Sequence, residues 1–325
     1  MKTNRIFLFL ITATTLAVAG SCGKLSEGVV RDIAFPEHDP QIAVTFMARP
    51  DADTLVARAM SSAAILDTAG SQKIKDAVFT LTHSNGTSIT WGDQADWVNG
   101  LGHVLTDAEL AAGTWRLDVE APGFEAVTAE QVMPPVIDSV GDYAYSWVSE
   151  LVDSYEGEDP VEGAYLSRTI DFTLTLPDRL GEADYFIVRS QIKPEWEELD
   201  EGEYSGGYAI LTSQIDDDPR MTFNQTAGGF LFQDIGDLEA LTSLAFRVFQ
   251  ESWGPDLDAL IEAPVVIEVA AVSPEMALYY ERLDLINNPS GGPLFTEPIL
   301  AFSNVSSGYG CFGLYTSSEL ELSVD

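Results

Sequence analysis

The 325-residue chain has 52 acidic and 16 basic residues, a formal net charge of −36, and two cysteines. This charge repels phosphate backbones and anionic lipid headgroups, so it excludes nucleic acid as a partner and a basic patch as a means of membrane contact. The acidity is typical of a solvated surface adapted to salty surroundings, and the length allows about two domains.

Residues 1–21 have the pattern of a bacterial lipoprotein signal peptide. Two basic residues, an apolar run over residues 6–18 and three small residues precede Cys22. The run is too short to cross a hydrocarbon core of about 30 Å, so we expect cleavage before Cys22. Lipid on the Cys22 thiol then anchors the protein in the bilayer of the outer membrane, on its periplasmic or cell-surface face. The alternative is a soluble secreted protein whose cleavage site lies beside a cysteine.

Cys311 is the second cysteine, and once Cys22 carries lipid it has no disulfide partner. It lies among small and apolar residues in the segment Gly310–Gly313. We therefore expect a buried, inert thiol and not a nucleophile.

The N-terminal part of the mature chain has the pattern of a β-sandwich. Residues 22–40 are interpreted as a lipidated tether and residues 41–135 as the sandwich, which ends at a double proline. A strand pattern of alternating residues, broken by turns, recurs along this part. The predicted strands include Gln41–Met47, Ala77–Thr82, Thr87–Trp91, Thr114–Glu120 and Phe124–Val132. Thr106–Glu109 is either a capped helical turn or a loop.

Residues 136–325 predict a larger C-terminal β-rich domain with one helix near residues 274–286. Leu241–Gln250 fits a helix or a strand by periodicity, and the β-rich context favours the strand. Two acidic stretches, residues 153–163 and 195–203, are interpreted as loops. Other predicted strands are Thr169–Leu176, Ala183–Ile192, Val265–Val272, Pro298–Asn304 and Cys311–Val324.

The helix has clear start and stop signals. Ser273 is a typical cap, Pro274 fits the first helical position and Glu275 suits the positive end of the dipole. Apolar residues then recur at helical spacing from Met276 to Ile286, which predicts an amphipathic helix. The expected fold is mostly β: an immunoglobulin-like or transthyretin-like sandwich, followed by a larger β domain that carries this helix.

Four local patterns resemble one family. They are the lipidated Cys22, a strand-rich first domain that ends at Val132–Pro135, the capped helix with Tyr279-Tyr280, and the segment Ser303–Gly313. That segment is similar to the family's Ser-Asn-Ile-x-x-Gly-x-Gly-x-Phe-Gly run. The family is the group of Bacteroidota outer-membrane lipoproteins called domain-of-unknown-function family 4249 (DUF4249).

The resemblance implies a place in the outer membrane beside TonB-dependent receptors, without an assigned activity. Residues 291–294 form an insertion before Phe295 that departs from the family pattern. In the C-terminal run, Gly308, Gly310 and Gly313 permit close backbone approach, and Asn304 can bond its own backbone in a turn. We interpret the run as structural.

No catalytic motif is recognisable. His38, His83 and His103 are few and scattered, and no zinc-protease, nucleophile-elbow or phosphate-loop pattern is present. We interpret each histidine as a surface residue.

Calcium is the metal that the acidic loops would suit best, because carboxylate oxygens are its preferred ligands. Neither of two acidic clusters has the spacing of an EF-hand, so solvated loops are favoured and no cofactor is expected. The candidate ligands are Asp153, Glu156, Glu158, Asp159, Asp216, Asp217 and Asp218.

Five tryptophans lie near predicted loop ends, where an indole ring can stack on a sugar or anchor a protein partner. The competing interpretation is core filling. They are Trp91, Trp97, Trp147, Trp196 and Trp253. Trp196, set within residues 194–200, is expected to be the most exposed and is the candidate for ligand binding.

The leading functional hypothesis is a non-enzymatic binding protein that accompanies a TonB-dependent transporter. The alternative is a surface adhesin, or a structural module that binds glycan or matrix. A third possibility is a glycan hydrolase that uses a pair of carboxylates.

Overall fold

The structure is a computed structural model. It describes residues 38–50, 52–64, 67–137, 142–156, 159–177, 183–192, 197–199, 203–205, 209–215, 220–234, 241–252, 264–288 and 301–322. Strands dominate these ranges, which confirms the predicted mostly β fold.

The first eight strands form the predicted N-terminal sandwich. One layer has the order β4-β3-β7-β8, and the facing layer contains β1, β2, β6 and β5. Alternate side chains of β1 and of β7 are buried between the layers, as their period-two patterns predict. The strands are β1 (Ile42–Ala48), β2 (Thr54–Ser61), β3 (Val78–His83), β4 (Ser88–Gly92), β5 (Trp97–Val98), β6 (Gly102–Thr106), β7 (Thr114–Glu120) and β8 (Val127–Val132).

The rest of the described chain contains twelve strands and the helix. The sheet β15-β18-β10-β9 packs on a layer formed by β16, β17, β11, β19 and β20, with a shared apolar core. The elements are β9 (Tyr143–Glu156), β10 (Asp159–Pro177), β11 (Asp184–Ile192), β12 (Glu197–Leu199), β13 (Glu203–Ser205), β14 (Ala209–Ile210), β15 (Thr212–Ile215), β16 (Met221–Asn224), β17 (Gly229–Asp234), β18 (Leu241–Ser252), β19 (Val265–Val272), α1 (Pro274–Asn287) and β20 (Tyr309–Leu322).

Strand β20 takes part in both halves of the fold. Its first half pairs in parallel with β1, from Tyr309 to Leu314, and its second half pairs antiparallel with β19, from Tyr315 to Leu322. Phe312 and Leu314 are thereby buried in the core of the N-terminal sandwich. The described residues nevertheless form separate apolar cores on either side of Pro135, with Met133 in one core and Ile137 in another. The division into two domains at that proline stays a prediction.

The described parts of both acidic stretches that were expected to be loops are strand. β9 and β10 continue their pairing as far as Glu156 and Asp159, with an irregularity between Pro160 and Ala164, and β12 pairs with β13. Pairing between backbones is open to acidic residues as well, so composition alone did not reveal these strands. The strand interpretation of Leu241–Gln250 is confirmed by β18.

The structure settles one open alternative and corrects two local predictions near turns. Thr106 ends β6, and residues 107–109 are a loop in which Asp107 has a φ of 56°. Residues 301–304 are not a strand. Asn304 does not use its side chain on its own backbone: Nδ2 donates to the carbonyl oxygen of Phe312 at 2.7 Å, and Oδ1 accepts from the Phe312 N–H at 3.0 Å.

Candidate functional site

Helix α1 is fixed at its N-terminus. Ser273 Oγ accepts a hydrogen bond from the Met276 N–H at 3.3 Å, and Pro274 occupies the first turn, so the predicted cap is confirmed. Met276 and Ala277 are buried against Ile187, Ala227, Ala270 and Val272. The predicted apolar stripe is buried at this end of the helix, whereas Ile286 is exposed.

The far half of α1 is held by the turn between β16 and β17. Asp284 Oδ1 accepts hydrogen bonds from the N–H of Gln225 at 3.0 Å and of Thr226 at 3.3 Å. Asn224 Nδ2 donates to the carbonyl oxygen of Tyr280 at 2.9 Å. Hydrogen bonds thus hold both the first and the last turns of the helix, so its surface next to β11 and β17 is preorganised.

An open cleft of about 340 Å³ lies beside the first turns of α1. Ligand pockets in proteins have volumes of roughly 300 Å³ or more, so this cleft is large enough for a small molecule. It is lined by Tyr185, Leu231, Gln233, Pro274, Glu275, Ala277, Leu278, Glu281 and Phe302.

The cleft combines apolar side chains with a few polar groups. The Tyr185 hydroxyl accepts a hydrogen bond from Gln233 Nε2 at 3.0 Å and can still donate its own proton to a ligand. Glu275 is half-buried and Glu281 is exposed. Two carboxylates beside an apolar wall suit a ligand that has an apolar body and a cationic or hydrogen-bond-donating group.

Sequence reasoning did not identify this cleft. Glu275, Leu278 and Glu281 recur every three residues and so mark one face of α1, which was the available local signal. Tyr185, Leu231 and Phe302 come from distant parts of the chain, and only the folded sheet brings them to that face.

Arg189 of β11 and Glu268 of β19 form an ion pair between neighbouring strands. Arg189 Nη1 donates to Glu268 Oε2 at 2.8 Å, and Arg189 Nε donates to the carbonyl oxygen of Ala227 at 2.8 Å. Burial opposes the charge on Arg189, but the Glu268 carboxylate outweighs it and raises the arginine pKa. Arg49 Nη1 lies 3.9 Å from Glu268 Oε1. These groups satisfy one another, so we assign them a structural role.

The Cys311 thiol of β20 and the hydroxyls of Tyr279 and Tyr280 on α1 are protonated and unreactive at neutral pH. Burial raises the pKa of the Cys311 thiol to about 12, with a further contribution from the Glu275 carboxylate. Burial also raises the pKa values of Tyr279 and Tyr280. A thiol with this pKa is protonated at neutral pH and is a poor nucleophile, which agrees with the expected buried cysteine.

Two histidines expected on the surface are core residues. His83 and His103 are buried, and each Nε2 lies at hydrogen-bond distance from a backbone oxygen, that of Ala112 at 3.0 Å and that of Lys75 at 3.1 Å. The His103 ring packs against Phe79 and the His83 ring against Trp115, at centroid distances of 5.0 and 4.7 Å. His38 is half-buried.

The tryptophans divide between the core and the surface. Trp91 is buried against Phe46 and Phe79, and Trp97 is half-buried. Trp147, on β9, is 37 % exposed. The guanidinium carbon of Arg168 lies 4.9 Å from the centroid of its indole ring, a cation–π contact.

Several predicted sites lie outside the described residues. Cys22, Glu158, Trp196, Trp253 and Asp216–Asp218 fall in this class, and of Asp153, Glu156 and Asp159 only the backbone is described. Among the side chains that are described, no three His, Cys, Asp or Glu are grouped to hold a metal ion. The calcium hypothesis therefore stays a prediction.

Within the described ranges, no helix has the length and apolar character needed to span a bilayer.

Comparison with known proteins gives a family and little else. The family model described as "Domain of unknown function (DUF4249)" matches residues 31–321. No curated protein matches the chain. Among solved structures, "Enterococcal surface protein, partial N-terminal region" matches at 10 % identity over 74 % of this chain and 92 % of that one. Its TM-score of 0.16 is too low to carry an argument.

Proposed function

Since the chain belongs to the DUF4249 family, we propose that it is a non-catalytic binding protein that retains a small ligand beside a TonB-dependent receptor. Lipid on Cys22 holds it at the outer membrane. The ligand has an apolar body and a cationic or hydrogen-bond-donating group.

The cleft beside α1 is the observation that carries this proposal. Its volume of about 340 Å³, its apolar wall and its carboxylates suit a small molecule. The helix that forms one side is held by a cap at one end and by Asp284 at the other. A rigid wall lowers the entropy cost of binding, because little has to be ordered when the ligand enters.

The location rests on the N-terminal sequence. A short apolar segment and small residues before Cys22 support lipid attachment. The net charge of −36 gives the protein no attraction to anionic headgroups, so the lipid would supply the contact with the membrane.

The first test is purification of the intact lipoprotein from its native membrane in mild detergent, with Cys22→Ser as the control. Mass spectrometry then identifies the proteins that accompany it. We expect a TonB-dependent receptor in stoichiometric amount with the lipidated form. Isolation of the protein alone would refute the receptor partnership.

The second test uses the same preparation to examine the cleft. Leu278→Trp places an indole in the cleft, whereas Leu285→Trp makes the same change at an exposed position of α1 that does not line it. Mass spectrometry of solvent extracts should detect a bound small molecule in the native protein and in Leu285→Trp. Leu278→Trp should retain at least ten-fold less. Equal amounts in all three proteins would refute ligand retention in the cleft.

A further inference from the structure

We propose that the outer edge of β9 is a docking site for an extended segment of a partner protein, apolar on one face and basic on the other. The segment adds to the sheet as a further strand. This inference concerns a different surface from the cleft, and it does not depend on the ligand proposed above.

The edge itself is the first observation. In the sheet β15-β18-β10-β9, β10 pairs with β9 along its length, and no other described strand pairs with it. Each of the residues Tyr143–Glu150 is exposed, and Val148 reaches 67 %. The side of an edge strand that faces away from its sheet presents a row of backbone N–H and C=O groups, with which an added polypeptide strand can pair.

One face of β9 is aromatic. Tyr143, Tyr145 and Trp147 alternate along the strand, opposite the core residues Leu174, Phe172 and Ile170 of β10. The row therefore continues the inner, apolar face of the sheet beyond the point where the facing layer covers it. An added strand with apolar residues on this face would extend the core by one strand.

Contacts hold the aromatic rings in place before any partner binds. The rings of Tyr143 and Tyr145 stack near Phe172, at centroid distances of 6.1 and 6.5 Å. Arg168 covers Trp147 and also donates from Nε to Ser149 Oγ at 3.1 Å. Ordered aromatic side chains lose little entropy on binding, which makes them good anchors.

The opposite face of β9 carries Ala144, Ser146 and the exposed Val148, with one carboxylate just before the strand and another at its middle. Ala144 and Ser146 lie between Asp142 and Glu150, both of which are exposed. Ala144 also begins a row of small side chains that runs across the sheet through Thr173 to Ala245. This row lines a shallow depression of about 310 Å³ on the sheet.

A carboxylate lies beside this row. Asp171 is opposite Ser146, its side chain is 61 % exposed, and its Oδ1 accepts a hydrogen bond from Arg247 Nε at 2.9 Å. It stands two strand spacings, or about 10 Å, from where an added strand would run, within reach of a long basic side chain. Together with the exposed Asp142 and Glu150, it favours basic side chains on the outward face of the partner segment.

Charge also decides against a second copy of this chain as the occupant. Pairing of two β9 edges would bring two sets of acidic residues together in a protein of net charge −36. A cationic segment is instead attracted by the whole protein and by the exposed carboxylates of Asp142 and Glu150.

Synthetic peptides test the docking edge with the full-length lipoprotein in detergent. The probe is a nine-residue fluorescent peptide of alternating valine and lysine, and its matched control has glutamate in place of lysine. Fluorescence anisotropy should show saturable binding of the first and at least ten-fold weaker binding of the second. Equal binding of the two peptides, or no binding of either, would refute the proposal.

N-methylated peptides separate strand addition from simple apolar or cation–π contact. Methyl groups on the amides of all valines block one edge of the extended peptide, and methyl groups on the amides of all lysines block the other. If the backbone pairs with β9, at least one of these peptides binds ten-fold more weakly than its parent. If both bind as the parent does, no strand is added and the proposal fails.

Variants of the protein locate the site. Val148→Lys should weaken binding of the valine–lysine peptide up to about five-fold, and Val148→Glu should strengthen it, because both side chains lie on the exposed outer face. Tyr143→Ala should weaken it, whereas Tyr309→Ala, which removes another tyrosine of 47 % exposure from β20, should not. Unchanged binding in all the β9 variants would place the peptide elsewhere.

Two further measurements keep this inference separate from the ligand cleft. Leu278→Trp should leave peptide binding unchanged, so loss of the cleft ligand and loss of the docking edge are distinguishable. Sedimentation should show a monomer. A dimer that Val148→Lys dissociates would show that the edge pairs with a second copy and would overturn the proposal.

Discussion

Gly310 of β20 lies so close to Val44 of β1 that a Cβ on the glycine would collide with the Val44 carbonyl oxygen. Its φ is +107°, a conformation that residues with a side chain rarely adopt. The parallel pairing of β1 with β20, through which the end of the chain enters the N-terminal sandwich, therefore depends on a glycine at this point.

Gly310→Ala should lower the free energy of unfolding by about 3 kcal/mol, since it adds both backbone strain and a steric collision. Urea denaturation followed by circular dichroism measures the change. Gly86→Ala is the matched control, because Gly86 has a φ of +93° and a Cβ added there would meet no atom within 4 Å. It should cost only about 1 kcal/mol. Equal losses in the two variants would mean that the close approach to Val44 is unimportant.

Asn304 should contribute through the two hydrogen bonds that its amide makes with the backbone of Phe312. Asn304→Ala removes both bonds and should lower the free energy of unfolding by about 2 kcal/mol. Chemical denaturation at neutral pH is a sufficient measurement. A loss below about 0.5 kcal/mol would indicate that water replaces the amide without cost.

Asn304→Asp adds a pH dependence with a definite sign. The new carboxyl faces the Phe312 N–H, which favours the charged form, and the Phe312 carbonyl oxygen, which repels a second oxygen and favours the protonated form. We expect the repulsion to dominate and to raise the carboxyl pKa above its unfolded value of about 3.9. The protonated group can donate the lost hydrogen bond, so the variant should be most stable at low pH and should lose stability as pH rises through the folded-state pKa. Denaturation of the variant and of Asn304→Ala at pH 4 and pH 7 would reveal it. A constant difference between them would contradict the expectation.

Elements defined by local patterns were predictable from the sequence. Thr114–Glu120 alternates without exception and forms β7 with the predicted bounds, and Ser273, Pro274 and Glu275 specify the start of α1 through contacts within one turn. In these cases the residues that determine the structure are neighbours in the sequence.

Features made by distant residues were not predictable. Asn304 has the chemistry of a local turn, yet its partner lies eight residues on, because β20 returns beside it. Tyr185 and Leu278 meet in one cleft only after β11 and α1 pack together. The segment Tyr143–Trp147 alternates aromatic and small residues as an ordinary half-buried strand does, and only its position at the sheet edge exposes it.

Cys311 should make the protein less stable at high pH. Burial raises its pKa to about 12 from the usual 9, so in the folded state it stays protonated while an unfolded chain ionises. The contribution of the protonated thiol to the free energy of unfolding is complete below pH 9 and is lost as the pH rises from 9 towards 12. Tyr279 and Tyr280, whose pKa values are also raised by burial, act in the same direction.

The cysteine contribution can be isolated by comparison with Cys311→Ala, which keeps both tyrosines. The difference in urea midpoint between the native protein and Cys311→Ala should shrink between pH 8 and pH 10.5. A thiolate-specific reagent should label Cys311 only after denaturation. Labelling of the folded protein at pH 8 would show that the thiol is more acidic or more accessible than its burial implies.

Glu268 should be essential to stability because it is the counter-ion of Arg189. The carboxylate is buried, and it receives a hydrogen bond of 2.8 Å from Arg189 and faces Arg49 at 3.9 Å. Glu268→Gln leaves a buried guanidinium without its charge partner, and such changes cost about 3 to 5 kcal/mol.

The double change Arg189→Met with Glu268→Leu removes both buried charges and should be less destabilising than Glu268→Gln alone. Arg49 is more exposed and also donates to Ser317 Oγ at 2.8 Å, so it can remain hydrated in both variants. Urea denaturation measures the free energy of unfolding of the two variants. If the double variant is the less stable one, packing of the Arg189 side chain contributes more to stability than compensation of its charge.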